Sequence, residues 1–246
     1  MPRQARIKSE SGYYHILLRG IGKQNIFLDD EDRKKFLEIL SKYKEELKYE
    51  INAYCLMSNH IHLLIKDVNG TLDTMMKKIA GSYAYYFNWK YERVGHLFQD
   101  RFKSEPIEND KYFLTVVRYI HQNPVKAGLS KCDNYRWSSY NEYINKPVLI
   151  DSRKTFEMLC DKQNFISFMH ENDNSNCLEV VELTRLTDEK AIEIIKKTAR
   201  IKNVQSIQNF DINKRDKLLR ILKERGISIR QLSRLTGINR GIILKA

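Results

Sequence analysis

The stretch from Glu50 to Lys66 limits the possible folds more than any other part of the chain. Glu50 to Met57 reads as a strand, and Ser58-Asn59 is short enough to be only a tight connection. The run that follows alternates. His60, His62 and Leu64 fall on one side, and Ile61, Leu63 and Ile65 on the other. A period of two means a strand, so the two runs form an antiparallel hairpin. Side chains two apart on a strand share a face. His60 and His62 therefore leave the sheet together, close enough to share one ion. Such a pair is more often structural than metal-binding, and it becomes informative only if something reactive lies opposite.

The surrounding patterns supply a fold. Tyr13–Arg19 alternates as a first strand, ended by Gly20 and Gly22. Asp29 to Asp32 opens a helix whose acids suit the positive end of its dipole, with Phe36, Leu37, Leu40, Tyr43 and Leu47 as its buried stripe. Gly70-Thr71 caps a second helix, with Leu72, Met76, Ile79, Tyr83, Tyr86 and Phe87 facing inward. Phe102 to Ile107 is a fourth strand that Pro106 places at an edge or at its own end. Asn109 or Asp110 caps a third helix expected to stop near Gln122, before Asn123-Pro124. The order strand, helix, strand, strand, helix, strand, helix predicts a ferredoxin-like α+β arrangement: an antiparallel sheet with helices on one face. An all-α C-terminal region follows. The expected domains are residues 1–146, a helical connection over 147–204 and a small domain over 205–246. Tyr135, Trp137, Tyr140 and Tyr143 form an aromatic stretch that either packs under the first domain or stacks on bases, and packing suits most of them. Asn172 to Asn176 reads as the clearest loop.

Charge narrows the class of partner. The chain carries a net +12, with +8 on residues 201–246, −2 on residues 147–200 and the remainder on residues 1–146. Two basic modules flank a nearly neutral one, and nucleic acid is the first candidate for their partner. No apolar run approaches the roughly 20 residues that a membrane span needs. The polar, basic N-terminus does not read as a secretory signal. The four cysteines (Cys55, Cys132, Cys160 and Cys177) form no C-x-x-C and look like free thiols. A cytoplasmic protein without a membrane partner is expected.

The third helix offers the reactive group. Tyr119 and Asn123 are four apart and share a helix face. With that face over the sheet, Asn123 would add an amide oxygen to the two imidazoles while Tyr119 points at the same ion. Two imidazoles and an amide suit Mg²⁺ or Mn²⁺ better than a closed zinc site. An ion there would polarise a phosphodiester and help a phenol, whose usual pKa is about 10, to attack. His121 and Gln122 compete as ligands, although His121 faces about 200° away from Tyr119. His15 and His96 are further candidate ligands, although each reads more readily as structural or as a phosphate contact. Taken singly, Tyr119 is a core residue and Asn123 a helix terminator.

Taken together, these residues resemble a known family. Asn59-His60-Ile61-His62-Leu63-Leu64 matches the His-hydrophobic-His (HUH) motif. Arg118 to Leu129 (RYIHQNPVKAGL) resembles the tyrosine helix of single-tyrosine HUH transposases, and the chain is most similar to the REP-associated tyrosine transposases. Tyr14-His15 with Arg19-Gly20, Ile26-Phe27 before Asp29-Asp30, His96 to Gln99 with Arg101 to Lys103, and Trp137 to Tyr140 agree as well. The likeness spans residues 5–145.

The resemblance implies a metal-dependent single-stranded DNA endonuclease and strand transferase. In it, Tyr119 forms a 5′-phosphotyrosine, and His60, His62 and Asn123 bind Mg²⁺ or Mn²⁺. Its substrates are hairpin-forming single strands, which Arg19, Arg101, Lys103 and Trp137 would contact. The family differs on whether the tyrosine acts on its own subunit or on a neighbour's, so a homodimer stays open. The C-terminal third departs from the short members. Asn213 to Arg225, Ile229 to Leu235 and Arg240 to Lys245 form a helix-turn-helix pattern, with Ser228 and Gln231 as a capping box and Asn239 capping the recognition helix. Arg240 and Lys245 would reach duplex DNA. The alternative function is a DNA-binding regulator with weak or no catalysis. An RNA-binding ferredoxin-like domain fits the charge but not the histidine pair with Tyr-x-x-x-Asn.

Overall fold

The computed structural model describes residues 6–171, 177–178 and 187–246, so the expected loop at Asn172–Asn176 lies outside the described residues. The chain forms two compact units, Met1–Val180 and Val181–Ala246. In the first, β1 (Tyr13–Arg19), β2 (Glu50–Leu56), β3 (His60–Lys66) and β4 (Lys103–Pro106) form an antiparallel sheet in the order β2-β3-β1-β4. The expected ferredoxin-like arrangement is the one observed. β1 and β3 take the centre because their side chains are apolar enough to be buried on both faces. β4 is confined to an edge and is shorter than expected, because Pro106 has no N–H to continue a ladder.

Register decides which side chains meet. Leu17 pairs with His62 and Arg19 with His60 across β1 and β3, Cys55 pairs with His62 across β2, and His15 pairs with Glu105 across β4. Directly paired residues share a face. One face of the sheet therefore carries His15, Leu17, Arg19, His60, His62, Lys103 and Glu105. The other carries Ile16, Leu18, Ile61, Leu63 and Ile65, all essentially buried. At the end of β1, Gly20 donates its N–H to Asn59 O at 2.9 Å, tying the histidine turn to the sheet. A Cβ at Gly20 would collide with the carbonyl oxygen of Gln24, so the close approach requires glycine.

The helices divide between the two faces. α1 (Asp30–Leu47) starts at a capping box formed by Asp29 and Asp32. α2 (Leu72–Lys90) is capped by the Asp67 carboxylate, which accepts from the N–H groups of Thr71 and Leu72, and not by the Thr71 side chain. α1 and α2 pack on each other, Phe36 meeting Tyr83 edge-on at 5.1 Å. They cover the wholly apolar face. α3 (Asp110–Lys126) lies over the histidine face, with Phe113 against Tyr13 at 5.1 Å. "Helices on one face" thus describes α1 and α2, and α3 adds a layer on the other side.

α3 also runs past its expected end at Gln122. Pro124 deprives the Ile120 carbonyl of its donor, but in the last turn of a helix that is a single lost bond. The helix therefore continues to Lys126. The outer side of α3 is covered by α4 (Tyr140–Ile144), α5 (Arg153–Leu159) and α6 (Lys162–His170). Here Tyr143 stacks on Phe165 at 4.5 Å, and both rings border His121. The residues beyond 146 thus begin inside the first unit, which runs to Val180.

The second unit holds α7 (Asp188–Ala199), α8 (Ile212–Glu224), α9 (Ile229–Thr236) and α10 (Arg240–Lys245). Ala191, Ile195, Leu219, Leu222, Leu232 and Ile243 are its buried centre. Ser228 accepts from Gln231 N–H to start α9, while the Gln231 amide donates to Asp188 Oδ1 on α7. Gly237 turns the chain with φ 75°, and Asn239 caps α10 by accepting from Gly241 N–H at 2.7 Å. Among the described residues no helix is long and apolar enough to cross a membrane.

Candidate active site

Three elements converge on the histidine face. β3 presents His60 and His62, whose ring centroids are 5.1 Å apart and nearly perpendicular. β1 contributes His15 and Arg19. α3 lowers Tyr119 onto them, its ring 5.6 Å from that of His62 and 5.7 Å from that of His15, edge-on to both. All of these belong to one chain. One turn on, Asn123 donates its Nδ2 to the carbonyl of Tyr119 at 2.9 Å. With the amide nitrogen so used, its oxygen is the atom that meets the His60 imidazole, with which Asn123 hydrogen-bonds. Lys126, a further turn along, holds its Nζ 4.2 Å from the centre of the Tyr119 ring.

Each imidazole is held through its other nitrogen. His60 Nδ1 lies 2.7 Å from Asn59 Oδ1, and His62 Nδ1 lies 3.0 Å from His15 Nε2. Burial pushes the His60 pKa down to about 4, with the nearby Arg19 cation adding to the effect and the Asn123 hydrogen bond opposing it. Burial also drives His62 well below its usual range, reinforced by His15, His60 and Lys126. Both rings are neutral at pH 7, the form in which imidazole is a ligand. Among the described residues no group of three or more His, Cys, Asp or Glu side chains is arranged to hold a metal ion. The donor set here is different: two neutral imidazoles and an amide oxygen. That nitrogen and oxygen set fits a Mg²⁺ or Mn²⁺ ion completed by water or phosphate oxygens.

The expected contact residues separate into groups. Arg19 is paired with His60 in register, and Lys103 is paired with Leu17 on the same face, exposed on the edge strand. Arg101 is exposed at the rim of a groove of about 470 Å³ lined by Ala80, Gly81, Ala84 and His96. Arg240 and Lys245 are exposed on α10 in the second unit. Trp137 is 9% exposed, with Arg33 and Arg136 at 5.5 and 4.5 Å from the centre of its ring. Its backbone carbonyl accepts from Leu56 N–H, and Ser138 bridges to Cys55, sealing the free edge of β2. An unpaired sheet edge needs such a cover, and this is the use the structure makes of the Trp-Ser-Ser-Tyr segment.

Three residues at the site escaped a reading of motifs. Lys126 was hidden by ending α3 too early, since at seven residues from Tyr119 it shares that helix face. Asn59 stands in the motif, yet its contact with His60 depends on the turn. Glu105 faces His15 only through the β1–β4 register, which no local pattern reveals.

Comparison with known proteins bears on the fold and the family. Residues 8–123 match the family model described as "Transposase IS200 like". A structure of the REP-associated tyrosine transposase bound to a REP hairpin is similar in fold, at 16% identity and a TM-score of 0.56, covering 74% of this chain and 100% of that one. A much looser likeness, with a TM-score of 0.35 and 15% identity, covers 53% of this chain and 99% of a transposase candidate from Deinococcus radiodurans R1. No protein of curated function matches the chain.

Proposed function

We propose, from the match of residues 8–123 to the IS200-like transposase family model, that the chain cuts and rejoins single-stranded DNA through Tyr119. The observation that supports this reading best is the placement of the Tyr119 ring against His15 and His62, beside His60, within one chain. In this reading the nucleophile acts on its own subunit's site.

In the reaction, the Tyr119 phenol loses its proton to solvent and its oxygen attacks a backbone phosphorus. The bond from phosphorus to the 3′-oxygen breaks, and that oxygen takes up a proton and leaves as a free 3′-OH. The DNA 5′-phosphate remains esterified to Tyr119. A second 3′-OH reverses the step, so the bond energy is kept and no nucleotide is consumed. His60, His62 and Asn123 would hold a Mg²⁺ or Mn²⁺ ion, which supplies positive charge to the phosphate oxygens. Lys126 sits over the tyrosine and favours its anion. Arg19 and Lys103, on the same face, bind the flanking phosphates.

The substrate proposed is a hairpin-forming single strand, the kind of DNA held by the structurally similar transposase. In the second unit, we propose that α9 and α10 serve as a helix-turn-helix whose Arg240 and Lys245 contact duplex DNA. The test is an adduct assay with a pool of labelled single-stranded hairpins and Mn²⁺ or Mg²⁺, followed by sequencing of the attached DNA. An SDS-resistant adduct is expected from the unaltered protein and none in chelator. An adduct that survives Tyr119→Phe, or full activity in chelator, would overturn the reading.

A further inference from the structure

The histidine pair is joined on its inner side to two more residues that the proposed reaction leaves unused. His15 is completely buried in the middle of β1, and its Nε2 lies 3.0 Å from His62 Nδ1. Its other nitrogen, Nδ1, is buried with no hydrogen-bond partner, and the nearest charged atom is Glu105 Oε2 at 3.8 Å. Glu105 is itself anchored, accepting from Leu178 N–H at 3.1 Å and from the hydroxyl of Tyr112. A buried histidine beside a metal site needs a reason to be there, since leucine would fill the space without an unpaired polar atom.

We propose that Glu105 and His15 are positioning residues that fix the tautomer of His62 and so direct its Nε2 lone pair into the active site. The argument is one of donors and acceptors. A carboxylate can only accept, so the proton of neutral His15 belongs on Nδ1, facing Glu105. His15 Nε2 is then an acceptor, and the proton between the two rings belongs to His62 Nδ1. His62 Nε2 is left with its lone pair free. His62 is thereby set to present Nε2. Without the chain from Glu105, His62 would be free to carry its proton on Nε2 and lose its value as a ligand. Partners of this kind behind a metal-binding histidine typically alter metal affinity by about 10- to 100-fold.

The inference rests on reading His60 and His62 as an ion site, and its test separates the two. Long-range ¹H–¹⁵N spectra of the full chain without metal report which nitrogen of each histidine is protonated. His62 protonated on Nδ1 is the expected result. A proton on Nε2 overturns the inference whatever the metal does. In parallel, Mn²⁺ binding is measured by the loss of the free-ion electron paramagnetic signal, without DNA. Glu105→Ala and His15→Leu are expected to weaken binding by about 10- to 100-fold, and His15→Asn, which restores an acceptor, is expected to recover most of it. Unchanged Mn²⁺ affinity in a folded His15→Leu protein overturns the inference. If the unaltered protein binds no Mn²⁺ but keeps the proton on His62 Nδ1, the tautomer assignment is upheld and the ion-site reading falls. Should the His15 variants not fold, the tautomer of the unaltered protein still decides.

Discussion

The two sides of α3 make the most instructive comparison in the molecule. Both carry buried, neutral histidines, and the uses we propose for them are opposite. On the outer side His121 is fully buried among Tyr140, Tyr143 and Phe165, with its Nε2 2.7 Å from Ser139 Oγ. Burial lowers its pKa to about 3. Ser139 in turn accepts from Tyr54 N–H, so His121 fastens the helix to the sheet edge. On the inner side His62 is just as buried, but its neighbours are two further imidazoles, a tyrosine and a lysine. Burial and a depressed pKa therefore do not distinguish a structural histidine from a functional one. The groups around the ring do.

The largest expected effect breaks the comparison from the inner side. Tyr119→Phe should remove the covalent adduct, a loss of roughly 10³-fold or more, while single-strand affinity in a gel-shift assay stays close to normal. Next, His60→Ala should reduce Mn²⁺-dependent cleavage by at least about 100-fold with little change in melting temperature. His121→Ala should do the reverse. It should lose about 2–4 kcal/mol of stability in denaturant titrations yet keep most of its cleavage rate per folded molecule. If His121→Ala selectively lost metal-dependent cleavage while remaining stable, the division between the two sides would collapse.

Acid should sharpen the same contrast. His60 and His121 protonate in the native state only at about 4 and about 3, whereas an unfolded histidine does so near 6.5. The unfolded chain binds more protons below 6.5, so stability present above that pH is lost as the pH falls toward 4 and below. Each such histidine contributes up to about 1.4 kcal/mol per pH unit. Denaturant midpoints from pH 8 to pH 5 check this, and His121→Leu should flatten the slope if the variant folds. Smaller again is Lys126→Met, expected to slow adduct formation roughly 5- to 30-fold. Lastly, removing residues 187–246 should weaken duplex binding while leaving adduct formation on single strands unchanged. Equal duplex affinity with and without this unit would remove the helix-turn-helix from the proposal.

Much of this was legible before any coordinates. Alternation placed β1 and β3 within a residue of their observed limits, because a central strand with one patterned face leaves little freedom of register. The spacing of Tyr119 and Asn123 predicted their common face because helical geometry is local. Other features were not legible. The end of α3 was misplaced because proline is a strong signal for a break but a weak constraint in a last turn. Trp137 is ambiguous in sequence because an aromatic among basic residues looks the same whether it stacks on bases or packs along a sheet edge.

The sequence by itself determined the strands, the helix faces and the identity of the chemically capable groups, all set by interactions within a few residues. Only the tertiary structure decided which of those groups meet. That α3 crosses the histidine face, that Tyr119 reaches the histidines of its own chain, and that Glu105 stands behind His15 all follow from strand order and register. These are long-range choices fixed by burying two sides of one sheet, and they leave no mark in the spacing of neighbouring residues.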